Sequence, residues 1–268
     1  MQQDELHNYA IVVEKLVTYF DERLILDNIN LRIRRGEALV VLGGSGCGKT
    51  TLLRHLIGLL QPHSGRIYIK GKDITALDED GLNAIRKRMG MLFQGAALFN
   101  SMTLGDNVAL PLREHTKLAE STIRIMTRIK LGLVGLAGFG NFKPAQLSGG
   151  MKKRAGLARA MAMDPEILFF DEPSAGLDPI IAAEIDALIL KLKRAFRMTM
   201  VIVTHELPSA FLVADRILML DSGRVIAMGT PQEIRSHQNP RVQQFLKREP
   251  NIENQDDEKY LRLITGEE

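Results

Sequence analysis

The sequence predicts an α/β fold with a mainly parallel sheet core, an N-terminal antiparallel β subdomain and an inserted helical subdomain. Three observations carry this. The opening segments IVVEKLVTYF and LILDNINLRIRRGE alternate apolar and polar residues between polar turns, the pattern of antiparallel strands. Four later runs, residues 39 to 42, 167 to 170, 200 to 203 and 217 to 220, are continuously apolar, and each is followed by turn residues or a helical period. Buried strands that alternate with helices belong to parallel sheets. Residues 98 to 165 are helical in spacing and poor in strands, so a helical lobe is expected between two strands of the sheet.

Taken in order, RIYIKGKDI at 66 to 74 adds a strand and turn to the antiparallel region. The glycine-rich LGLVGLAGFG at 131 to 140 is too short and broken to span a membrane and reads as a helix end plus loop. After Gly229, TPQEIRSHQ and PRVQQFLKR read as helices and lead into the polar tail EPNIENQDDEKY. These boundaries define one domain over residues 1 to 248, with its helical subdomain at about 98 to 165, and a polar C-terminal tail at 249 to 268. The tail reads either as a disordered terminus or, over 240 to 260, as a clasp on a second copy or another partner.

At 268 residues, 45% apolar and 25% charged, the composition is that of a globular protein. The net charge of +3 is mild and its basic residues are spread along the chain, so no nucleic-acid partner is expected. A single cysteine forbids an internal disulfide and fits a reducing compartment. No segment approaches the roughly eighteen apolar residues of a membrane span, and the start MQQDELHNYA is unlike an export signal. The expectation is a cytoplasmic chain whose membrane contact is made through a partner.

Residues 40 to 56, VVLGGSGCGKTTLLRHL, pass from β-branched residues through a glycine-rich turn into a leucine-rich helical period. Gly43 to Thr50 fits G-x-x-x-x-G-K-[ST] between a predicted strand and a predicted helix, the context that marks a phosphate-binding loop. Few Cβ atoms then block backbone N–H groups from converging on phosphate oxygens, and the helix start adds partial positive charge. Gly43, Gly44, Ser45, Gly46, Cys47, Gly48 and Thr51 are thus candidate nucleotide contacts. Lys49 is expected on the β and γ phosphates, and the Thr50 hydroxyl on Mg²⁺. A second site is ILFFDEP, an apolar strand ending in Asp171 and Glu172 at its carboxyl edge, where open α/β sheets place ligands. Asp171 is expected to hold Mg²⁺ and Glu172 to polarise the attacking water. Two adjacent acids at a strand end also occur as plain turn residues, so the pair gains its meaning from the loop.

The third stretch is LSGGMKKRAGLARAM, 147 to 161, in which Ser148, Gly149 and Gly150 open a helix and make an anion-binding start without a lysine of their own. This string resembles the signature motif of the ATP-binding-cassette (ABC) ATPases, a branch of the P-loop NTPases. Other motifs of that family match in order: Gln94 in MLFQ, SAGLD at 174 to 178 and His205 in VIVTHE. The resemblance covers about residues 10 to 230. It implies ATP and Mg²⁺ as cofactors and a homodimer in which Ser148, Gly149 and Gly150 of one copy complete the site of the other. It also implies that Gln94 senses the γ-phosphate and Mg²⁺, that His205 holds the γ-phosphate and the water, and that Asp178 belongs to the nucleotide site. An aromatic ring stacks on adenine in this family; Tyr19 and Phe20 are both candidates, with Phe20 at the better-matching spacing. Cys47 reads as a space-filling residue, because transfer to water needs no covalent intermediate. Its place at a helix start beside Lys49 predicts an unusually acidic thiol whose alkylation blocks hydrolysis.

RKRMGMLFQGAALFNSMTLGDNVALPLREHT, with its ALF piece and PLREHT run, and the later NPRVQQFL resemble the ATPase subunits of the Mla phospholipid-transport systems of Gram-negative bacteria. That resemblance implies a complex with an integral-membrane permease, a periplasmic MCE-domain protein and a STAS-domain protein. The complex would move phospholipids across the envelope to maintain outer-membrane lipid asymmetry. The chain would lie on the cytoplasmic side of the inner membrane, peripheral through the permease. Gly44, where relatives often carry proline, and the general form of SAGLD are departures from that subgroup. The alternative is the ATPase of an importer or exporter for another substrate class. A chromosome or repair ATPase would carry a long coiled coil before the signature, and a GTPase would carry N-K-x-D; neither pattern occurs here.

Overall fold

The computed structural model describes residues 8–250. Its strands are β1 (Tyr9–Phe20), β2 (Arg23–Arg34), β3 (Ala38–Leu42), β4 (Ser64–Ile69), β5 (Lys72–Asp73), β6 (Met89–Leu92), β7 (Ile167–Asp171), β8 (Thr199–Thr204), β9 (Arg216–Asp221) and β10 (Arg224–Gly229). Among the described residues they form a four-stranded antiparallel sheet, β2-β1-β4-β5, and a six-stranded sheet, β10-β9-β3-β8-β7-β6. The larger sheet is parallel from β9 to β6, with β10 as an antiparallel edge.

The continuously apolar strands have cores on both faces. Val40 and Leu42 of β3, Leu168 and Phe170 of β7, and Met200 and Ile202 of β8 enter one core; Leu39, Val41, Ile167, Phe169, Val201 and Val203 point into the other. Phe169 and Phe170 are wholly buried on opposite faces, each burial contributing roughly 1.5–3 kcal/mol. The antiparallel sheet adds Ile11, Val13, Leu16, Ile29 and Ile33 to the second core, alternating with exposed residues along β2.

The helices are α1 (Lys49–Leu56), α2 (Glu79–Arg86), α3 (Leu104–His115), α4 (Glu120–Leu133), α5 (Gly149–Ala160), α6 (Pro179–Phe196), α7 (Leu207–Val213), α8 (Pro231–Arg235) and α9 (Pro240–Lys247). Of these, α3, α4 and α5 lie between β6 and β7 in the chain and pack in the first core, whereas Leu52, Leu53 and Leu56 of α1 pack in the second. Side-chain oxygens cap several helices: Thr103 opens α3, Ser148 opens α5, Asp178 opens α6 and Thr230 opens α8. The parallel register pairs Leu92 with Phe170, Asp171 with Val203 and Leu42 with Thr204, so the carboxyl ends of β6, β7, β8 and β3 are level. The loops after these four strands open on one edge of the sheet, where ligands bind in such folds.

Two strands stand outside the sequence expectations. β6 reads MGML, with no β-branched residue, and it pairs with β7 because Gly90 lets α5 approach: a Cβ there would lie 2.2 Å from the Ala160 carbonyl oxygen. β10 is an edge strand with a half-exposed, irregular pattern. The stretch expected to clasp a partner begins in α9 and runs outside the described residues beyond Pro250.

Candidate functional site

The loop from Gly43 to Gly48 joins the level end of β3 to α1. Gly48 caps α1 with φ of 104°, in the left-handed region, and a Cβ there would lie 2.8 Å from Leu26 Cδ2, so glycine is required on both counts. Lys49 is buried and folds back over the loop, its Nζ donating to the carbonyls of Gly43 and Gly44 at 2.8 Å each. Thr50 Oγ1 donates to Asp171 Oδ1 at 3.4 Å. Burial pushes the Asp171 carboxyl above the ordinary aspartate range; the Thr50 hydrogen bond opposes this, and the neighbouring Glu172 charge adds to it.

Glu172 follows β7 with its backbone in the left-handed region at φ of 49°. It is 9% exposed. Its Oε1 lies 2.8 Å from His205 Nδ1, and its Oε2 is buried with no hydrogen-bond partner among the described residues. His205 follows β8 and is half exposed. A cavity of about 690 Å³ is bordered by Gly44, Ser45, Gly46, Lys49 and Thr50 on one side and by Gln94, Glu172 and His205 on the facing loops. Four separate loops thus deliver the phosphate-loop cation, a hydroxyl, a carboxylate, an amide and an imidazole to one opening.

Other candidates stand apart from it. Ser148, Gly149 and Gly150 lie at the start of α5, outside the cavity lining, with Ser148 Oγ accepting from Met151 N at 3.2 Å. Gly150 is needed for packing, since a Cβ there would meet Ile181 Cγ2 at 2.5 Å. The Asp178 carboxylate caps α6, accepting from Ile180 N and Ile181 N at 3.1 Å. Tyr19 and Phe20 are exposed at the end of β1, also outside the lining; the Tyr19 ring packs edge-on against His63 at 5.1 Å.

The expectation of an acidic Cys47 thiol is corrected. Cys47 is buried in the second core, and burial pushes its thiol above the ordinary cysteine range, outweighing the opposing pull of Lys49. The neighbouring cation was legible in sequence and the burial was not. Conversely, Gln244, Phe245 and Arg248 at the end of α9 border the same cavity, and Lys153 reaches the backbone of Glu172; sequence reasoning missed all four. For Lys153 the available signal was a lysine on the face of α5 that turns inward.

A family model described as ABC transporter matches residues 26–175. The chain belongs to the ABC transporter family. This cassette is 44% identical over 244 residues to the intermembrane phospholipid transport system ATP-binding protein MlaF of Haemophilus influenzae, covering 91% of this chain and 92% of that protein. It is 45% identical over 237 residues to the probable ribonucleotide transport ATP-binding protein mkl of Mycobacterium leprae, covering 88% of this chain and 68% of that protein. Among solved structures it resembles a dimeric ATP-binding cassette in a post-hydrolysis state bound to ADP and Pi, with a TM-score of 0.76 and 32% identity over 82% of this chain and 98% of that one. The cassette fold and an ATP hydrolysis activity coupled to transport follow from this membership. No helix among the described residues is long and apolar enough to cross a membrane.

Proposed function

We propose that this cassette is the ATPase subunit of an Mla-type transporter that moves phospholipids across the Gram-negative envelope and maintains outer-membrane lipid asymmetry. Two copies share two ATP sites. Identity to MlaF over 91% of the chain supports the substrate class. The hydrolytic assignment is carried by one observation: Glu172 borders the same cavity as Lys49 and keeps a carboxylate oxygen that has no hydrogen-bond partner among the described residues.

The triphosphate lies along the loop from Gly43 to Thr51, and Lys49 exchanges the Gly43 and Gly44 carbonyls for the β and γ phosphates. Mg²⁺ suits the hard oxygens of Thr50 and Asp171, which already lie side by side, with Gln94 adding a side-chain oxygen. Among the described residues no three His, Cys, Asp or Glu side chains converge on one point, so nucleotide oxygens and water would complete the ion's shell. When bound, the ion supplies positive charge to the β and γ oxygens. Glu172 takes the proton of the attacking water, while His205 Nδ1 holds Oε1; Nε2, which lies 3.6 Å from Glu206 Oε1, would have to turn from that carboxylate and carry a proton to donate to the γ-phosphate. Phe20 stacks on adenine, because the Tyr19 ring is engaged by His63. Ser148, Gly149 and Gly150 of the second copy close over the γ-phosphate, and Asp178 holds the adjoining loop at the start of α6.

The permease contributes a cytoplasmic helix to a groove of about 730 Å³ beside β6, α3 and α5, where Phe93 and Phe99 are 39% and 51% exposed. MCE-domain and STAS-domain proteins complete the assembly, which holds the cassette peripherally on the cytoplasmic side of the inner membrane. Affinity purification from native membranes, with identification of co-purifying chains and lipid, tests this reading. A permease with an MCE-domain partner and bound phospholipid is expected. A permease that arrives with neither would move the assignment to another substrate class.

A further inference from the structure

Two of the buried or partly buried cations of helix α5, Lys153 and Arg159, hold backbone carbonyls beside the site and are not used by hydrolysis as described. Lys153 is 6% exposed, and its Nζ donates to the backbone carbonyl of Glu172 at 2.9 Å. Burial draws this ammonium below the ordinary lysine range, and the charges of Glu172 and Asp171 oppose that. A lysine is seldom placed so deep for a carbonyl alone.

The carbonyl it holds belongs to a residue that needs holding. A non-glycine backbone at φ of 49° is strained and persists only where its surroundings over-determine it. Here the Glu172 N–H donates to Val203 O at 2.9 Å, and the Glu172 carbonyl accepts from Lys153 and from Ala175 N at 3.3 Å. This left-handed turn takes the chain off β7 with Oε1 beside His205. The same helix repeats the arrangement six residues on: Arg159 donates to the carbonyls of Ala96 at 3.0 Å and Ala97 at 2.7 Å, two further non-glycine residues with positive φ, separated from Gln94 only by Gly95.

We propose that Lys153 is the positioning residue for Glu172: by gripping its carbonyl from α5, it fixes the strained turn that presents the carboxylate to the cavity. The proposal rests on Glu172 being the general base. It also links the two nucleotide sites of a dimer, since the start of α5 serves one and Lys153, within its second turn, sets the base of the other.

Lys153→Met keeps the aliphatic stem and removes the donor. Turnover, KM, ATP affinity and melting temperature are measured for K153M alone and in the E172Q background. The expected result is a kcat about 10- to 100-fold lower, the scale of a misplaced catalytic group. ATP affinity should stay within about threefold of wild type, and K153M should add no further loss to E172Q, the mark of two residues acting as one unit. Should K153M not fold, Lys153→Gln gives the same comparison with a shorter, weaker donor. A normal K153M or K153Q beside an inactive E172Q overturns the positioning role alone, as does an equal added loss in both backgrounds. Near-normal turnover of E172Q by itself overturns the base assignment.

Discussion

Exchanging Glu172 for glutamine separates nucleotide binding from hydrolysis in one change of nearly constant shape. Oε1 accepts from His205 Nδ1 at 2.8 Å, and an amide oxygen in that position still accepts. The other atom then becomes an amide nitrogen where Oε2 is buried without a partner among the described residues. A neutral amide loses less hydration on burial than a carboxylate, so the variant should fold at least as stably. Proton acceptance is what disappears, and a general base contributes about 10²- to 10⁴-fold, equivalent to about 2.7–5.4 kcal/mol of barrier. Phosphate release at saturating ATP is therefore expected to fall by that factor. ATP affinity by equilibrium titration should stay within about threefold, and the ATP-bound dimer should persist in size-exclusion chromatography. Turnover within about tenfold of wild type would refute the reasoning, because no such interaction would then be lost from the transition state.

Lys49→Ala removes a cation whose charge-assisted hydrogen bonds are worth about 1.5–3 kcal/mol, so the dissociation constant for ATP should rise by about 10- to 150-fold; an unchanged value in titration would count against the phosphate-loop role. His55 is wholly buried, with Nδ1 donating to Leu60 O and Nε2 accepting from Thr18 Oγ1, and burial holds its pKa below the ordinary histidine range. The unfolded chain therefore takes up a proton that the folded one refuses, so stability should fall as pH drops through about 6.5. Urea midpoints measured on either side of that pH should show the loss in wild type and less of it in His55→Gln; equal losses would exclude His55 as the source. Cys47, with its thiol raised by burial, should react with iodoacetamide at neutral pH more slowly in the folded protein than in denatured chain. Faster labelling of the folded form, read by mass spectrometry, would restore the acidic-thiol expectation.

What the sequence shows most clearly is whatever depends on neighbours along the chain. The apolar runs that became β3, β7, β8 and β9 were legible because a strand covered on both faces leaves no room for polar alternation. Gly43 to Thr50 was legible because loop, lysine and hydroxyl follow one another without interruption. β6 was not: its strand character comes from α5 packing against Gly90, a contact between residues far apart in sequence. The same holds for Cys47, whose burial in the second core decides its chemistry. It holds for Lys153, whose partner is a backbone carbonyl nineteen residues away that no motif records. Spacing favoured Phe20 over Tyr19 but a one-residue slip would exchange them, and the contact of the Tyr19 ring with His63, from another segment, is one that spacing could not show.

The shared-site account stands or falls on complementation between subunits. In a mixture of Lys49→Ala and Ser148→Arg chains, each inactive alone and each folded by circular dichroism, mixed dimers hold one pocket with both defects and one with neither. The account predicts ATP turnover in the mixture well above that of either variant by itself. Turnover no higher than the two separate variants, with mixed dimers shown to be present, would contradict it.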